Sequence, residues 1–468
     1  MATFALLIWP LVSMVLFSVL GRNRGLIWSV VVGFLFLPEV WSFDFPVLPP
    51  FGKHETISLG VLLGALITRA KAEPLPEADS WAKGVMTALV ALLFLAPFLT
   101  MLTNRDSYMI GPLWFPAIGL WDVLATIFSW LVSLVPFFLA RRFLHNPDMH
   151  RELLKAMVIM GLFYALLALY ELRMSPQLNN MVYGYFPHQW LQHIRGGGWR
   201  PLVFLAHGLE LGFFLLTAVL AGIGLVRATA RESRALYLIA ALALFVVLAL
   251  SRNLGALAIC LLLAPAAFML TPKMHVRIAV IVAILFAAYP LTRHVYIQPL
   301  LTVAEKVSTE RFRSLHFRFM NEDMFVARAA ERPVAGWGSW GRWRVYDDAG
   351  RDLTVSDGIW IIQLGAWGWV GFTGLFGLLM APLVLMRRAA RHQPLGPATS
   401  VLALMVAANL IYMIPNSTLT PICWLVAGAL AGYVQFAPGP AAEGRLLPRY
   451  TRFGSTNRPG PVRLSRFN

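Results

Sequence analysis

The chain has 468 residues, 58% of them apolar and 13% charged, with a formal net charge of +16. The apolar residues gather into repeated runs of roughly 16 to 28 residues, which excludes an ordinary soluble domain and predicts an all-α, polytopic transmembrane bundle. In a soluble domain the positive charge would point to nucleic acid, but in a many-span chain its placement decides its meaning. Cys260 and Cys423 both fall inside apolar runs, so a disulfide framework and a cysteine metal site are both disfavoured.

Taken in order, the candidate spans are about 2–20, 26–42, 56–70, 82–102, 117–140, 152–173, 201–226, 235–250, 253–270, 276–292, 359–386, 398–414 and 418–437. The first lacks a basic leader and a small-residue cleavage site, so it is read as a span and not a removed signal. The third and eighth are short for a hydrocarbon layer ~30 Å thick, which gives about 12–13 spans. Residues 1–437 thus form one transmembrane domain, with 438–468 a basic tail read as solvated and partly disordered, in contact with anionic lipid and not with nucleic acid.

Lys and Arg orient the spans. One set of connections holds Arg22/Arg24, Arg69/Lys71/Lys83, Arg141/Arg142/Arg151/Lys155, Arg227/Arg231/Arg234, Lys273/Arg277 and Arg387/Arg388/Arg391. The opposite connections hold only Lys53, Arg105, Arg173, Arg195, Arg200 and Arg252. The positive-inside rule puts the first set, and the tail, in the cytoplasm. The long polar stretch 293–358 then faces outward, with 174–199 beside it.

That stretch, between the tenth and eleventh spans, cannot lie in hydrocarbon, where its charges and backbone would be unsatisfied. Phe312, Leu315, Phe319, Val326, Ala329 and Ala330 recur at near-helical spacing over 308–332, and Pro333 stops the pattern. An amphipathic surface helix is the plain reading. The following Gly-Trp-Gly-Ser-Trp-Gly is too glycine-rich for a helix. Its Trp337, Trp340 and nearby Trp343 either anchor at headgroup level or offer a platform to sugar rings.

Several ionisable residues fall near the outward ends of spans. Arg200 opens the seventh span, with His207 and Glu210 expected one and two turns deeper, and Arg252 lies between the eighth and ninth. Charge at such depths is costly and is a functional hypothesis by default, although a lone arginine there also reads as a snorkelling cap. Two guanidiniums at one rim suit a diphosphate, because each offers a planar fork of donors and stays charged. His207 reads equally as an interior histidine bonded to backbone or as a binding or proton-transfer group. Asp357 reads as an acidic helix cap or as a general base for a hydroxyl. No metal or nucleotide signature is present in the linear sequence, and no Cys/His cluster.

In order and spacing, Arg200-Pro201, Leu250-Ser251-Arg252-Asn253 with Gly255-Ala256, Arg318 upstream of Glu331-Arg332-Pro333-Val334-Ala335-Gly336-Trp337-Gly338, and Asp357 through Gly365-Ala366-Trp367-Gly368-Trp369-Val370-Gly371 resemble the O-antigen ligase and Wzy-type polysaccharide polymerase superfamily. The resemblance covers about residues 195–375 and implies a GT-C-like, metal-independent inverting glycosyltransferase with no cofactor. It further implies a bacterial inner membrane location, an active site facing the periplasm, and a glycan donor carried on undecaprenyl diphosphate. Under it, Arg200 and Arg252 bind the leaving diphosphate, with Arg318 helping or ordering the loop. Asp357 stands where ligases of the family carry histidine, which favours polymerase over ligase and makes Asp357 or His207 the base. Arg195, Trp337, Trp340 and Arg342 complete the expected substrate-binding set, and a chain-length regulator or export complex is a possible partner. The alternatives are ligation to lipid A core, a lipid-linked sugar flippase or transporter, and a non-catalytic assembly subunit.

Overall fold

A computed structural model describes residues 1–43, 50–68, 78–195, 197–390 and 395–436. The basic tail, Arg69, Lys71 and Arg391 lie outside the described residues. In chain order the helices are α1 (Ala2–Phe36), α2 (Lys53–Ile67), α3 (Ser80–Thr103), α4 (Leu120–Phe143), α5 (Pro147–Met174), α6 (Leu178–Tyr183), α7 (Gly208–Ala228), α8 (Arg231–Leu250), α9 (Leu254–Met269), α10 (Pro272–Val307), α11 (Thr309–Ala330), α12 (Ile359–Ala389), α13 (Pro397–Met413) and α14 (Pro421–Gln435). Two short antiparallel hairpins interrupt them: β1 (Tyr108–Ile110) with β2 (Leu113–Phe115), and β3 (Ile194–Arg195) with β4 (Gly198–Trp199).

Eight helices, α1, α3, α4, α5, α7, α8, α10 and α12, are long and apolar enough to cross a membrane, which suggests a membrane protein. α1 holds the first two expected spans, divided at Gly21, where φ is 77°. The eighth expected span is longer than its apolar run, because Arg231 to Arg234 form its first polar turn. α2, α9, α13 and α14 have only 15 to 17 residues. At ~1.5 Å per residue each is shorter than ~30 Å.

α7, α13 and α14 form the centre: Leu211 to Val226 of α7 and Pro421 to Gln435 of α14 are buried throughout. Peripheral helices turn apolar side chains outward, among them Leu236, Ile239, Leu242 and Val246 of α8, and Ile281, Ile284 and Leu285 of α10. A stripe of that kind suits a lipid-facing surface.

Contacts between connections sort into the two ends that an alternating helix order requires. At one end, Arg24 pairs with Glu152 and Arg388 with Asp79, Arg151 donates to the Ala228 carbonyl, and Arg227 to those of Ala267 and Leu270. At the other, Lys53 pairs with Glu39, Arg342 donates to the Asp106 carbonyl, and the Ser417 hydroxyl to that of Asp357.

This second end carries the cap. α10 continues as helix through Arg293 to Val307, past the expected end of its span. Arg293, buried, then binds Glu322 and Asp323 of α11 and the Phe319 carbonyl, and Tyr289 donates to Glu322 at 3.1 Å. The expected amphipathic helix is α11, ending just before Pro333. The glycine-rich run then lies along α12 where that helix kinks at Gly368. The kink leaves carbonyls without helical donors. Trp337 N–H donates to the Gly365 carbonyl at 2.9 Å and Gly338 N–H to that of Ala366 at 2.8 Å, while Trp369 N–H returns to Pro333 at 2.8 Å. A Cβ on Gly336 would stand 2.5 Å from the Ala366 carbonyl, and one on Gly368 2.3 Å from that of Val334. Glycine at both positions lets the two backbones meet.

Candidate active site at the capped end of the bundle

Arg200 does not lie on α7. The helix begins at Gly208, and residues 200–207 form an irregular turn ahead of it. The expected helical face shared by Arg200, His207 and Glu210 is therefore replaced by a folded-back loop, because the backbone of that turn is held from outside. Glu171 of α5, fully buried, accepts the N–H groups of Leu202 at 2.9 Å and Val203 at 2.8 Å on one oxygen and that of Leu178 at 3.0 Å on the other. Tyr164 Oη accepts Phe204 N–H at 3.0 Å. Val203 is forced to φ 58°, a costly conformation for a β-branched residue.

The clamped turn delivers Arg200 to the α8–α9 junction. One terminal nitrogen of its guanidinium donates to the Arg252 carbonyl at 3.3 Å. Arg252 itself adopts φ 58°, a strained backbone at the junction. Its guanidinium donates to the Arg195 carbonyl and lies over Gly198, where a Cβ would sit 2.4 Å from it. Asn253, next in sequence, caps α9 and donates to Tyr412 Oη at 2.8 Å, and Tyr412 donates to the Leu209 carbonyl at 2.9 Å. Arg318 of α11 faces the same group. Burial first, then the like charges of Arg195 and Arg318, hold the Arg200 guanidinium below its ordinary value. Four arginines from three separate stretches of the chain thus bear on one region.

Arg318 Nε lies 3.3 Å from Asp357 Oδ2, both half-exposed. Asp357 is not the cap of α12: that position is Gly358, and the carboxylate makes no cap bond. Partial burial pushes the Asp357 carboxyl above the usual range, with Arg318 pulling it down. A carboxylate so placed is a competent proton acceptor.

His207 caps α7: its Nδ1 accepts Leu209 N–H at 2.9 Å. Because that N–H only donates, the neutral ring carries its proton on Nε2. Burial, then His193 and His188, push His207 down to about 3. No local pattern around His207 signals what surrounds it. His188, His193 and His207 lie with ring nitrogens within 4.8 Å of one another, so the fold builds a histidine group that linear spacing hides. His193 presents Nδ1 to the Arg200 carbonyl at 3.2 Å, leaving Nε2 as a buried lone pair with no partner. Burial is the main cause that pushes it down to about 4. Among the described residues this is the one group that could gather round a metal ion. Its chemistry fits poorly, since the His207 Nδ1 lone pair already serves Leu209 and the charges of Arg195 and Arg200 bear on the same rings.

Two other expected substrate-binding residues are buried and held by bonds within the protein. Arg342 is fully buried, donating to the carbonyls of Asp106 at 2.9 Å and Pro116 at 2.6 Å beneath the Tyr108 ring. Trp337 is buried under Arg328 and Arg332, whose guanidiniums lie 3.3 and 4.2 Å from its ring centre, and donates to the Arg328 carbonyl. Trp343 stacks on Phe325. Trp340 alone of the three stays exposed.

No family model matches the sequence, and no curated protein matches it either.

Proposed function

We propose that this chain is a metal-independent membrane glycosyltransferase of the polysaccharide polymerase type, with thirteen crossings, its cap outside the cytoplasm and its tail within. The observation that carries the reading is the arginine cluster at the capped end, Arg200 bonded to Arg252 with Arg195 and Arg318 bearing on it, beside the carboxylate of Asp357. Fixed guanidiniums suit a diphosphate that gains charge as it leaves, and such preorganised donors are each worth ~10²- to 10³-fold in rate. The donor is a glycan on undecaprenyl diphosphate, and the acceptor a hydroxyl of the next lipid-linked repeat unit.

In this scheme Asp357 takes the proton of the acceptor hydroxyl as its oxygen attacks the anomeric carbon. The bond from that carbon to the diphosphate oxygen breaks with inversion, and Arg200 and Arg252 receive the departing charge. Arg318 orients the carboxylate. His193 offers the only imidazole lone pair of the histidine group that is open and buried, which makes it a better second candidate for the base than His207.

The test is reconstitution in vesicles with a lipid-diphosphate-linked repeat unit. A product ladder is expected from the wild type, and its loss from Arg200→Ala, Arg252→Ala and Asp357→Asn. Ladders retained in all three refute the assignment. Product only when lipid A core is supplied makes the chain a ligase, and movement of labelled lipid between leaflets without a new glycosidic bond makes it a flippase.

A further inference from the structure

A cleft opens at the capped end, between the first half of α4 and the turn Gly338–Gly341. It has a volume of about 430 Å³ and is walled by Trp130, Trp340 and Trp367 with Asp122, Ser129 and Ser339. Trp340 is 62% exposed and sits at φ 61°, a left-handed backbone that costs a non-glycine residue ~1–2 kcal/mol. Its indole N–H donates to Asp122 Oδ1 at 2.8 Å, and the other Asp122 oxygen accepts Gly119 N–H at 2.8 Å. Trp130 and Trp367 meet edge to face at 5.2 Å.

A tryptophan that anchors a protein in the headgroup layer uses its amphipathic ring there, apolar body inward and polar N–H toward water. Here the protein itself consumes the N–H, so what Trp340 offers the cleft is a ring face held in one orientation. The remaining wall is mixed, with Asp122, Thr126, Ser129 and Ser339 beside Ala125. Acyl chains have no use for Asp122, Ser129 and Ser339, and a phosphate headgroup would meet the Asp122 charge. An aromatic face beside hydroxyls and a carboxylate is what a pyranose ring needs: its C–H face lies on the indole and its hydroxyls bond to the polar wall. Trp130 also lines a smaller cavity of about 150 Å³ that reaches Ile359 and Gln363, in the turns of α12 that follow Asp357. The Gln363 amide nitrogen is buried there without a partner.

We infer that this cleft binds the sugar chain itself, apart from the diphosphate, and holds several residues of the glycan while its end is worked on near Asp357. The inference rests on the glycosyltransferase reading for its place in a reaction, but the binding site stands or falls separately. The probe is the water-soluble oligosaccharide released by mild acid from the lipid-diphosphate-linked pool of cells that carry this chain. Its binding to purified protein is followed by saturation-transfer NMR and tryptophan fluorescence.

Saturable binding by the wild type is expected. Trp340→Ala and Trp340→Leu should each weaken it at least tenfold, because leucine restores apolar bulk but no ring face. Ser129→Trp, which fills the cleft and leaves Trp340 in place, should do the same and guards against a folding defect in the Trp340 variants. Trp114→Ala, at an exposed tryptophan on β2, should leave binding unchanged. Undiminished binding in Trp340→Ala and Ser129→Trp overturns the site. Binding kept by Trp340→Leu makes the residue a lipid anchor, and equal loss in Trp114→Ala makes the effect a general one of surface aromatics, and either result also overturns it. Glycan binding with these effects but no transfer under any condition would sink the glycosyltransferase reading and leave the cleft standing.

Discussion

Glu171→Gln tests how the site is assembled. The Glu171 carboxylate accepts three backbone N–H groups, two of them from the turn that carries Arg200. A glutamine carbonyl oriented toward Leu202 and Val203 keeps those two bonds on its one oxygen, but its amide group then faces the Leu178 N–H, donor against donor. The change removes one charge-assisted bond, leaves a buried N–H unsatisfied at ~1–3 kcal/mol, and weakens the other two bonds from charged to neutral. Together these amount to about 2–5 kcal/mol. In a chain of 468 residues that is a fall of a few degrees in thermal midpoint. Relief of the strain at Val203 offsets part of that loss, and the same relaxation moves the turn that carries Arg200. Displacing Arg200 by ~1 Å should cost ~10²-fold in transfer. The assay pairs thermal unfolding in lipid nanodiscs with single-turnover transfer from the lipid-linked donor. An unchanged midpoint together with unchanged transfer would refute the clamp.

At Arg252 the backbone strain inverts the usual order of small residues: Arg252→Gly should be more stable than Arg252→Ala by about 1 kcal/mol in chemical denaturation, and neither should transfer glycan. The raised Asp357 carboxyl places the acid limb of the rate profile above the pH of an ordinary aspartate, with activity lost as pH falls through it. Asp357→Asn should abolish transfer without changing the fold seen by circular dichroism, and a wild-type profile flat to pH 4 contradicts a carboxylate base. Because His207 acts as a neutral cap, His207→Asn should leave the midpoint unchanged and the rate within about threefold, while His207→Ala loses ~1 kcal/mol of stability. Arg342→Lys should fail to reach a native midpoint, since one ammonium cannot serve the carbonyls of Asp106 and Pro116 that the buried fork spans.

Much of the helical plan is legible because hydrocarbon thickness and helix rise leave apolar runs few alternatives. α11 is readable for a similar reason: a period near 3.6 up to Pro333 has one simple solution. Arg200 and Arg252 stand out because charge near an apolar run is expensive. The supporting residues carry no such signal. Glu171 is one acid at the end of an apolar helix, and its partners lie 7 to 32 positions away. His188, His193 and His207 meet only because the 200–207 turn folds back, which Arg200-Pro201 followed by an apolar run disguises as the start of a helix. From sequence, Trp337 and Arg342 read as surface chemistry in a glycine-rich loop. Both are buried beneath the cap, a consequence of the loop lying along the α12 kink that no local pattern announces.

In the reading proposed above, Arg200 and Arg252 grip one diphosphate together. The sharpest check is a double-mutant cycle on the affinity of purified protein for undecaprenyl diphosphate, with undecaprenyl monophosphate as the comparison ligand. Each single alanine variant should lose ~10- to 100-fold in affinity, the double variant should show a coupling of at least ~0.5 kcal/mol, and the wild type should prefer the diphosphate. Strictly additive losses, or equal affinity for the two lipids, would contradict a shared pyrophosphate site.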